Sequence, residues 1–362
     1  MASSIGEKIK ISVFGESHGQ AIGVVIDGLP AGIKLDTDKI LHEMGRRAPG
    51  NDKTATPRKE SDLPEILSGI VENTTTGAPL AAIIRNNNTK SKDYSNIKRC
   101  PRPGHSDYTA YIKYNGFNDI AGGGHFSARL TAPIVFAGAV SKQILAQKGI
   151  KVTAHIASIG NVEDESFDPC NITDNLIEDL LNRKFPLIDT SKEEEMRKVV
   201  SDAAADKDSV GGTIECAVVG IKAGVGYPMF DGIEGRIAKA VFGIPAMKGI
   251  EFGKGFDLTR MRGSQSNDNF RYDSNGNVYT KTNNCGGILG GITNGMPVTF
   301  KVAAKPTPSI AQPQETVNLE TKQNDILEIN GRHDPCIVLR AVPVIEAITA
   351  VTILDLISED TI

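Results

Sequence analysis

The residues able to do chemistry sit in short polar loops marked by glycine or proline. Gly15-Glu16-Ser17-His18-Gly19 sets an imidazole beside a hydroxyl. An imidazole there can serve as acid or base near neutral pH; the alternative is a histidine on a surface turn. Arg99-Cys100-Pro101-Arg102-Pro103-Gly104-His105-Ser106-Asp107 carries two prolines that would hold His105 rather than let it wave, unless the segment is simply an exposed loop. In Gly122-Gly123-Gly124-His125-Phe126-Ser127-Ala128-Arg129 a triple glycine feeds a helix start, where free amides and the helix dipole favour an anion. The same segment can instead be a turn capped by Ser127. Arg46 and Arg47 offer forks for phosphate or carboxylate, or merely complement a helix C-terminus. Lys305-Pro306-Thr307-Pro308-Ser309 and Gly286-Gly287-Ile288-Leu289-Gly290-Gly291 are loops that can wrap a ligand by backbone. Gly331-Arg332-His333-Asp334-Pro335-Cys336 is a dense polar run whose groups need each other or a ligand. Together Arg46, Arg47, Arg129, Lys305 and Arg332, with three histidines and one carboxylate, describe an enzyme or receptor for a polyanionic small molecule. The reaction itself stays open at this point.

The elements that must position these loops are legible in outline. Ile9–Phe14 and Ala21–Ile26 read as strands flanking the first loop, with Ile66–Val71 and Pro79–Arg85 as further strands. Asp36 or Thr37 caps a short helix through Ile40, Leu41 and Met44, stopped by Pro49-Gly50. Residues 86–107 read as loop. A long helix runs from about Ala128 to Lys148, with Pro133 in its first turns and Gly149 ending it. Ser191-Lys192-Glu193-Glu194 reads as a capping box for a helix to about Ala205. A strand Gly212–Ile221 and a helix near Ile233–Phe242 follow. Residues 260–284 are polar and read as a mobile loop. The final helix, about Pro343–Ile357, is apolar on nearly every side and so belongs in the interior.

Composition narrows the class. A chain of 362 residues, 40% hydrophobic and 23% charged, can bury a substantial core. With a formal net charge of -4 it carries no global field to recruit nucleic acid or an anionic membrane. Cys100, Cys170, Cys216, Cys285 and Cys336 are odd in number, spread out and without a C-x-x-C pair, which fits reduced thiols in a cytoplasmic protein. No secretory signal opens the chain, and the longest apolar stretches fall short of the roughly 20 residues a membrane span needs. A P-loop, a G-x-G-x-x-G fingerprint, an H-E-x-x-H pair and a G-x-S-x-G elbow are all missing. Strands and helices interleave without the βαβ rhythm of a doubly wound sheet, so one α+β domain over residues 1–362 is expected.

At these loops the sequence closely resembles the chorismate synthase family. The match lies in Gly15-Glu16-Ser17-His18-Gly19 with Val25-Ile26-Asp27-Gly28-Leu29-Pro30-Ala31-Gly32, in Gly124-His125-Phe126-Ser127-Ala128-Arg129, and in Arg332-His333-Asp334-Pro335-Cys336 through Arg340-Ala341-Val342-Pro343. Pro101-Arg102-Pro103-Gly104-His105, Lys248-Gly249-Ile250-Glu251-Phe252-Gly253 and Lys305-Pro306-Thr307 match too, in order along essentially the whole chain. The resemblance implies a β-α-β sandwich, helices packed between antiparallel sheets and not a Rossmann fold. It also implies a homotetramer and a carbon-oxygen lyase that converts 5-enolpyruvylshikimate 3-phosphate to chorismate and phosphate by 1,4-anti elimination. Reduced FMN (FMNH2) would be its cofactor, with no net redox change.

By the same resemblance, His18 protonates the leaving phosphate and His105 sits by the flavin N1 side. Asp334 with Ser17 relays the proton that flavin N5 collects. Arg46, Arg47, Arg129 and Arg332 neutralise substrate phosphate and carboxylates, Arg332 touching FMN as well. Arg47, Lys53, His125, Phe126, Ser127, Pro245, Ala246, Gly290 and Lys305, Pro306, Thr307, Pro308, Ser309 take the family's cofactor-binding positions. Two departures stand out. Many relatives have Arg-Ser-Ser-Ala-Arg where this chain has His125-Phe126-Ser127-Ala128-Arg129, and Lys53 replaces a common arginine, keeping charge but losing the bidentate fork. The competing readings are a bifunctional form that reduces its own flavin with NAD(P)H and a non-catalytic sensor of phosphorylated metabolites. With no added nucleotide module in view, an external flavin reductase or other source of reduced flavin is expected.

Overall fold

Turn residues between apolar runs build the first sheet. A computed structural model describes residues 3–50, 62–87, 97–329 and 334–359. In it five antiparallel strands lie in the order Ser4–Ile5, Lys10–Gly15, Ala21–Asp27, Leu80–Arg85 and Pro64–Ser68. Ile11, Ile22, Val24, Ile26, Leu80, Ala82 and Ile84 turn inward from it. A second antiparallel sheet runs Met247–Phe252, Val298–Ala304, Gly212–Val219, Lys151–Ile159 and Val162–Glu163.

The helices are α1 (Thr37–Arg47), α2 (Asp107–Lys113), α3 (Thr131–Ala146), α4 (Asp174–Asn182), α5 (Glu193–Ala205), α6 (Ile233–Val241), α7 (Gly263–Ser266) and α8 (Val338–Glu359). Helix α3 lies on the first sheet and α8 on the second, and the two pack on each other. At their crossing Gly138 meets Ala347 so closely that a Cβ on Gly138 would collide with it. A single apolar cluster thus runs from one sheet through the helices to the other, each large side chain in it worth about 1.5–3 kcal/mol. This is an α+β fold of helices and antiparallel sheets. Helix α8, 22 residues, is long and apolar enough to cross a membrane, and 89% of its most apolar stretch is buried inside the protein.

Several expectations need correction. Ile66–Val71 is two pieces: the strand leaves the sheet at Gly69 (φ +86), where a Cβ would press on Leu80, and Ile70–Val71 pairs with Thr74–Thr75 instead. The helix expected from Ala128 begins as a 3-10 turn, Ala128–Leu130, and becomes α3 at Thr131, with Pro133 third in the helix where its missing N–H costs nothing. Ser191 does not cap α5. A 3-10 turn, Thr190–Lys192, precedes Glu193 instead, capped by Asp189 accepting from the Ser191 amide, and α5 itself has no side-chain cap among the described residues. Residues 260–284 hold α7 and the hairpin Phe270–Tyr272/Val278–Thr280, pinned where Asp268 accepts from Thr282 Oγ1 and the amides of Asn284 and Cys285. Helix α8 starts five residues before Pro343. Helices α2 and α4 and the strand Lys151–Ile159 went unread.

Candidate active site

The loop Gly15–Gly19 joins two central strands, and hydrogen bonds hold its backbone from both sides. The Ser17 amide donates to Gly124 O at 3.1 Å. Asn86 Nδ2 donates to Glu16 O at 3.0 Å and Gly19 O at 2.9 Å. Against this loop lies the triple glycine, with φ of 60°, 86° and 52° at Gly122, Gly123 and Gly124, a left-handed run that only glycine adopts readily. A Cβ on Gly122 would collide with the His18 ring and come 2.9 Å from Ser17 Oγ; one on Gly123 would come 3.3 Å from His105 Nε2. The glycines therefore let two imidazoles from distant loops approach one turn. They do not feed α3 directly, since Ser127 Oγ accepts from the Arg129 amide at 3.3 Å and closes that end. Ser17 is buried, and its Oγ has no hydrogen-bond partner among the described residues.

His105 belongs to a second network. Its Nδ1 lies 2.6 Å from Asp107 Oδ1, and Arg102 grips the same carboxylate through Nε at 2.7 Å and Nη2 at 2.8 Å. Burial alone would raise the Asp107 pKa, but bonds from Arg102 and His105 drive it well below the carboxylate range. Arg102 Nη1 also donates to Ser309 Oγ at 3.0 Å, and Lys305 Nζ to Gly104 O at 2.5 Å. Burial and the nearby Lys248 lower the Lys305 ammonium. The Lys305 amide bonds Ala246 O at 3.0 Å, joining Pro245-Ala246 to the loop Lys305–Ser309. Within that loop Thr307 Oγ1 is buried with no partner among the described residues.

The arginines fall into two groups. Arg47 donates to Asp62 at 2.5 Å, to Thr131 Oγ1 and to Ala128 O, while Arg129 donates to the other Asp62 oxygen and to Asn86. Among the described residues two guanidiniums thus share the carboxylate of Asp62, with Arg340 Nε on the Arg47 carbonyl at 3.1 Å. Burial, Arg340 and Arg129 outweigh Asp62 and pull Arg47 down to about 10. Asp62 itself resists burial and stays below its ordinary range because of Arg47 and Arg129. Asp334 is tied to this group through Arg340 Nη1 at 2.7 Å.

Arg46, the residue before Arg47, points elsewhere. It meets Glu346 at 2.6 Å and Glu43 at 2.8 Å, and Lys142 bonds the same two carboxylates. It also lines a cleft of about 370 Å³ with His42, Arg183, Lys184 and Arg340. Those cations are largely matched already, Arg183 by Asp179 and Arg340 by Asp334. The cleft offers little free charge, so the arrangement around the two imidazoles carries more chemistry than this cleft.

Of the other expected positions, His125 binds Gly15 O through Nδ1 at 2.8 Å and Ser3 Oγ through Nε2 at 2.8 Å, tying the turn to the first sheet. Phe126 is partly exposed, its ring 6.3 Å from that of Tyr114. Gly290 turns a hairpin beside the start of α6, where the Ile233 amide bonds Gly291 O. Lys53 and Arg332 lie outside the described residues. Sequence reading missed Asp62, Asn86, Asp107 and Arg340. For Asp62 and Asp107 the signal is that several buried arginines demand counter-charges.

The comparisons agree with one another. The family model described as chorismate synthase matches residues 9–358. A chorismate synthase of Dehalococcoides mccartyi is 47% identical over 98% of this chain and 96% of its own length. One of Methanothermobacter thermautotrophicus is 45% identical over 98% and 93%. A crystal structure of chorismate synthase superposes with a TM-score of 0.77 at 30% identity, covering 98% of this chain and 93% of that one. Full-length matches of this kind leave one assignment: the chain belongs to the chorismate synthase family.

Proposed function

We propose that the chain is a lyase that removes phosphate from 5-enolpyruvylshikimate 3-phosphate to give chorismate, with reduced FMN bound between the histidine loops and Lys305–Ser309. The observation that carries this reading is the meeting of Ser17, His18 and His105 about the Gly122–Gly124 turn. The residues suit a polar cofactor: Ser17 Oγ and Thr307 Oγ1 are buried hydroxyls without partners among the described residues, and the glycine turn brings two imidazoles close to Ser17. When bound, a reduced isoalloxazine lends electron density as an allylic phosphate departs.

The protein's own part is positioning and charge. Arg47 and Arg129, gathered on Asp62, supply guanidiniums suited to phosphate and carboxylate groups, with Arg332 in the same role. His18 gives its proton to the departing phosphate. His105 offers Nε2 towards the turn, and Asp334 with Ser17 passes on the proton taken from C6. Arg46, matched by Glu43 and Glu346, braces the helix that carries Arg47. We further infer a single-domain, cytoplasmic homotetramer supplied with reduced flavin by another enzyme.

An anaerobic assay of chorismate absorbance, with and without reduced FMN, tests the reading. Product is expected only with the reduced flavin; binding without turnover would make the protein a sensor. NADPH with oxidised FMN should give no turnover, and rapid turnover there would mean the chain reduces its own flavin.

A further inference from the structure

Asp107 is the first residue of α2, where any acidic side chain is favoured by the helix dipole. Its bonds, however, run back into the loop Arg102–His105. Oδ2 accepts from the amide and Nε of Arg102 at 3.1 and 2.7 Å, and Oδ1 accepts from Arg102 Nη2 at 2.8 Å. Oδ1 also lies 2.6 Å from His105 Nδ1. Arg102 Nη2 is in addition 3.1 Å from that same Nδ1, with Ser106 Oγ at 3.4 Å. Nδ1 cannot accept from the guanidinium while its lone pair faces an anionic oxygen at 2.6 Å. Two N–H donors converging on one carboxylate oxygen account for both distances. In the neutral ring Nδ1 then carries the proton, and Nε2, the nitrogen facing Gly123, keeps its lone pair.

We propose that Asp107, locked by Arg102, is a positioning residue that fixes the tautomer and direction of His105, so that Nε2 is the nitrogen offered to the bound ligand. That the ligand is flavin rests on the function proposed above; the tautomer does not. The same guanidinium reaches Ser309, so the histidine and the loop Lys305–Ser309 are set by one group.

The test uses the full chain labelled with ¹⁵N-histidine, with long-range ¹H–¹⁵N spectra assigned through His105→Ala. The parent should show neutral His105 protonated at Nδ1. In Asp107→Asn the carboxamide oxygen is claimed by the two donors at the Oδ2 position, so its NH2 faces Nδ1 and the ring should switch to Nε2–H. Turnover with reduced FMN should then fall about 10²-fold in kcat, with KM changed less than about threefold. Asp107→Glu, which keeps the carboxylate, should keep the parent tautomer. An Nε2–H ring in the parent would overturn the proposal, as would undiminished kcat in Asp107→Asn. If Asp107→Asn does not fold, the parent spectrum and Asp107→Glu still decide. A parent that makes no chorismate would sink the functional reading and leave the tautomer result standing.

Discussion

At the scale of single residues, the site depends on side chains that are present and on side chains that must be missing. His18→Ala and His105→Ala should each slow turnover by about 10²-fold or more, the usual loss when a general acid or base is removed; parent-like rates in both would end the assigned roles. Gly122 and Gly149 both have positive φ, +60° and +76°, yet only a Cβ on Gly122 meets anything, namely His18 and Ser17. Alanine at either position should cost about 1–3 kcal/mol through backbone strain, read from urea midpoints. Only Gly122→Ala should also abolish turnover, because the new methyl displaces the imidazole. Equal activity in the two variants would show that His18 has room to move without consequence.

At the scale of elements, buried charges stitch helices to sheets, and they titrate. Burial opposes ionisation of Glu346, but Arg46 and Lys142 overcome it and hold the carboxyl at about 2, against an ordinary 4.5. A depressed carboxyl stabilises the fold above its unfolded value and loses that contribution as pH falls towards the folded one. Stability should therefore drop between about 4.5 and 2 more steeply in the parent than in Glu346→Gln. Near neutral pH the variant should be about 3–5 kcal/mol weaker, since two buried cations lose a partner. His155, between Asp164 and Glu215 at 2.9 Å each, has the opposite sign: burial disfavours its charge, yet the two carboxylates raise its pKa above 6.5. Its contribution is complete below 6.5 and fades as pH rises through the folded value, so His155→Gln should flatten the alkaline side of the melting-temperature profile. Such pairings are where sequence reading ran out. Arg46 and Glu346 are 300 positions apart, and nothing local announces them. The Gly15–Gly19 loop was legible because alternating apolar strands flank it, as was the cap Asp36, which does accept from two α1 amides. Lys151–Ile159 was not, being buried on both faces and so without a period-two pattern.

At the scale of the whole molecule, α8 binds the two sheets into one body, and it does so with carboxylates as well as apolar packing. Glu346 accepts from the Ala154 amide of the second sheet at 3.0 Å. Two and a half turns later Asp355, also buried, accepts from the amides of Glu7, Lys8 and Ile9 at 2.8–3.0 Å, just ahead of the strand that ends in the histidine loop. Asp355→Ala would leave those amides without their acceptor, at about 1–3 kcal/mol for each that water cannot reach. The loss should fall unevenly. Amide exchange should quicken at least about tenfold along Lys10–Gly15, since each 1.4 kcal/mol is a factor of ten in local opening, and stay near parent values in Gly212–Val219. Because Gly15 leads through Glu16 into Ser17 and His18, turnover should fall with the protection of Lys10–Gly15 and not with that of the second sheet. Uniform acceleration across both sheets would mean that α8 clamps the fold as a single cooperative unit, and that the histidine loop has no separate anchor in Asp355.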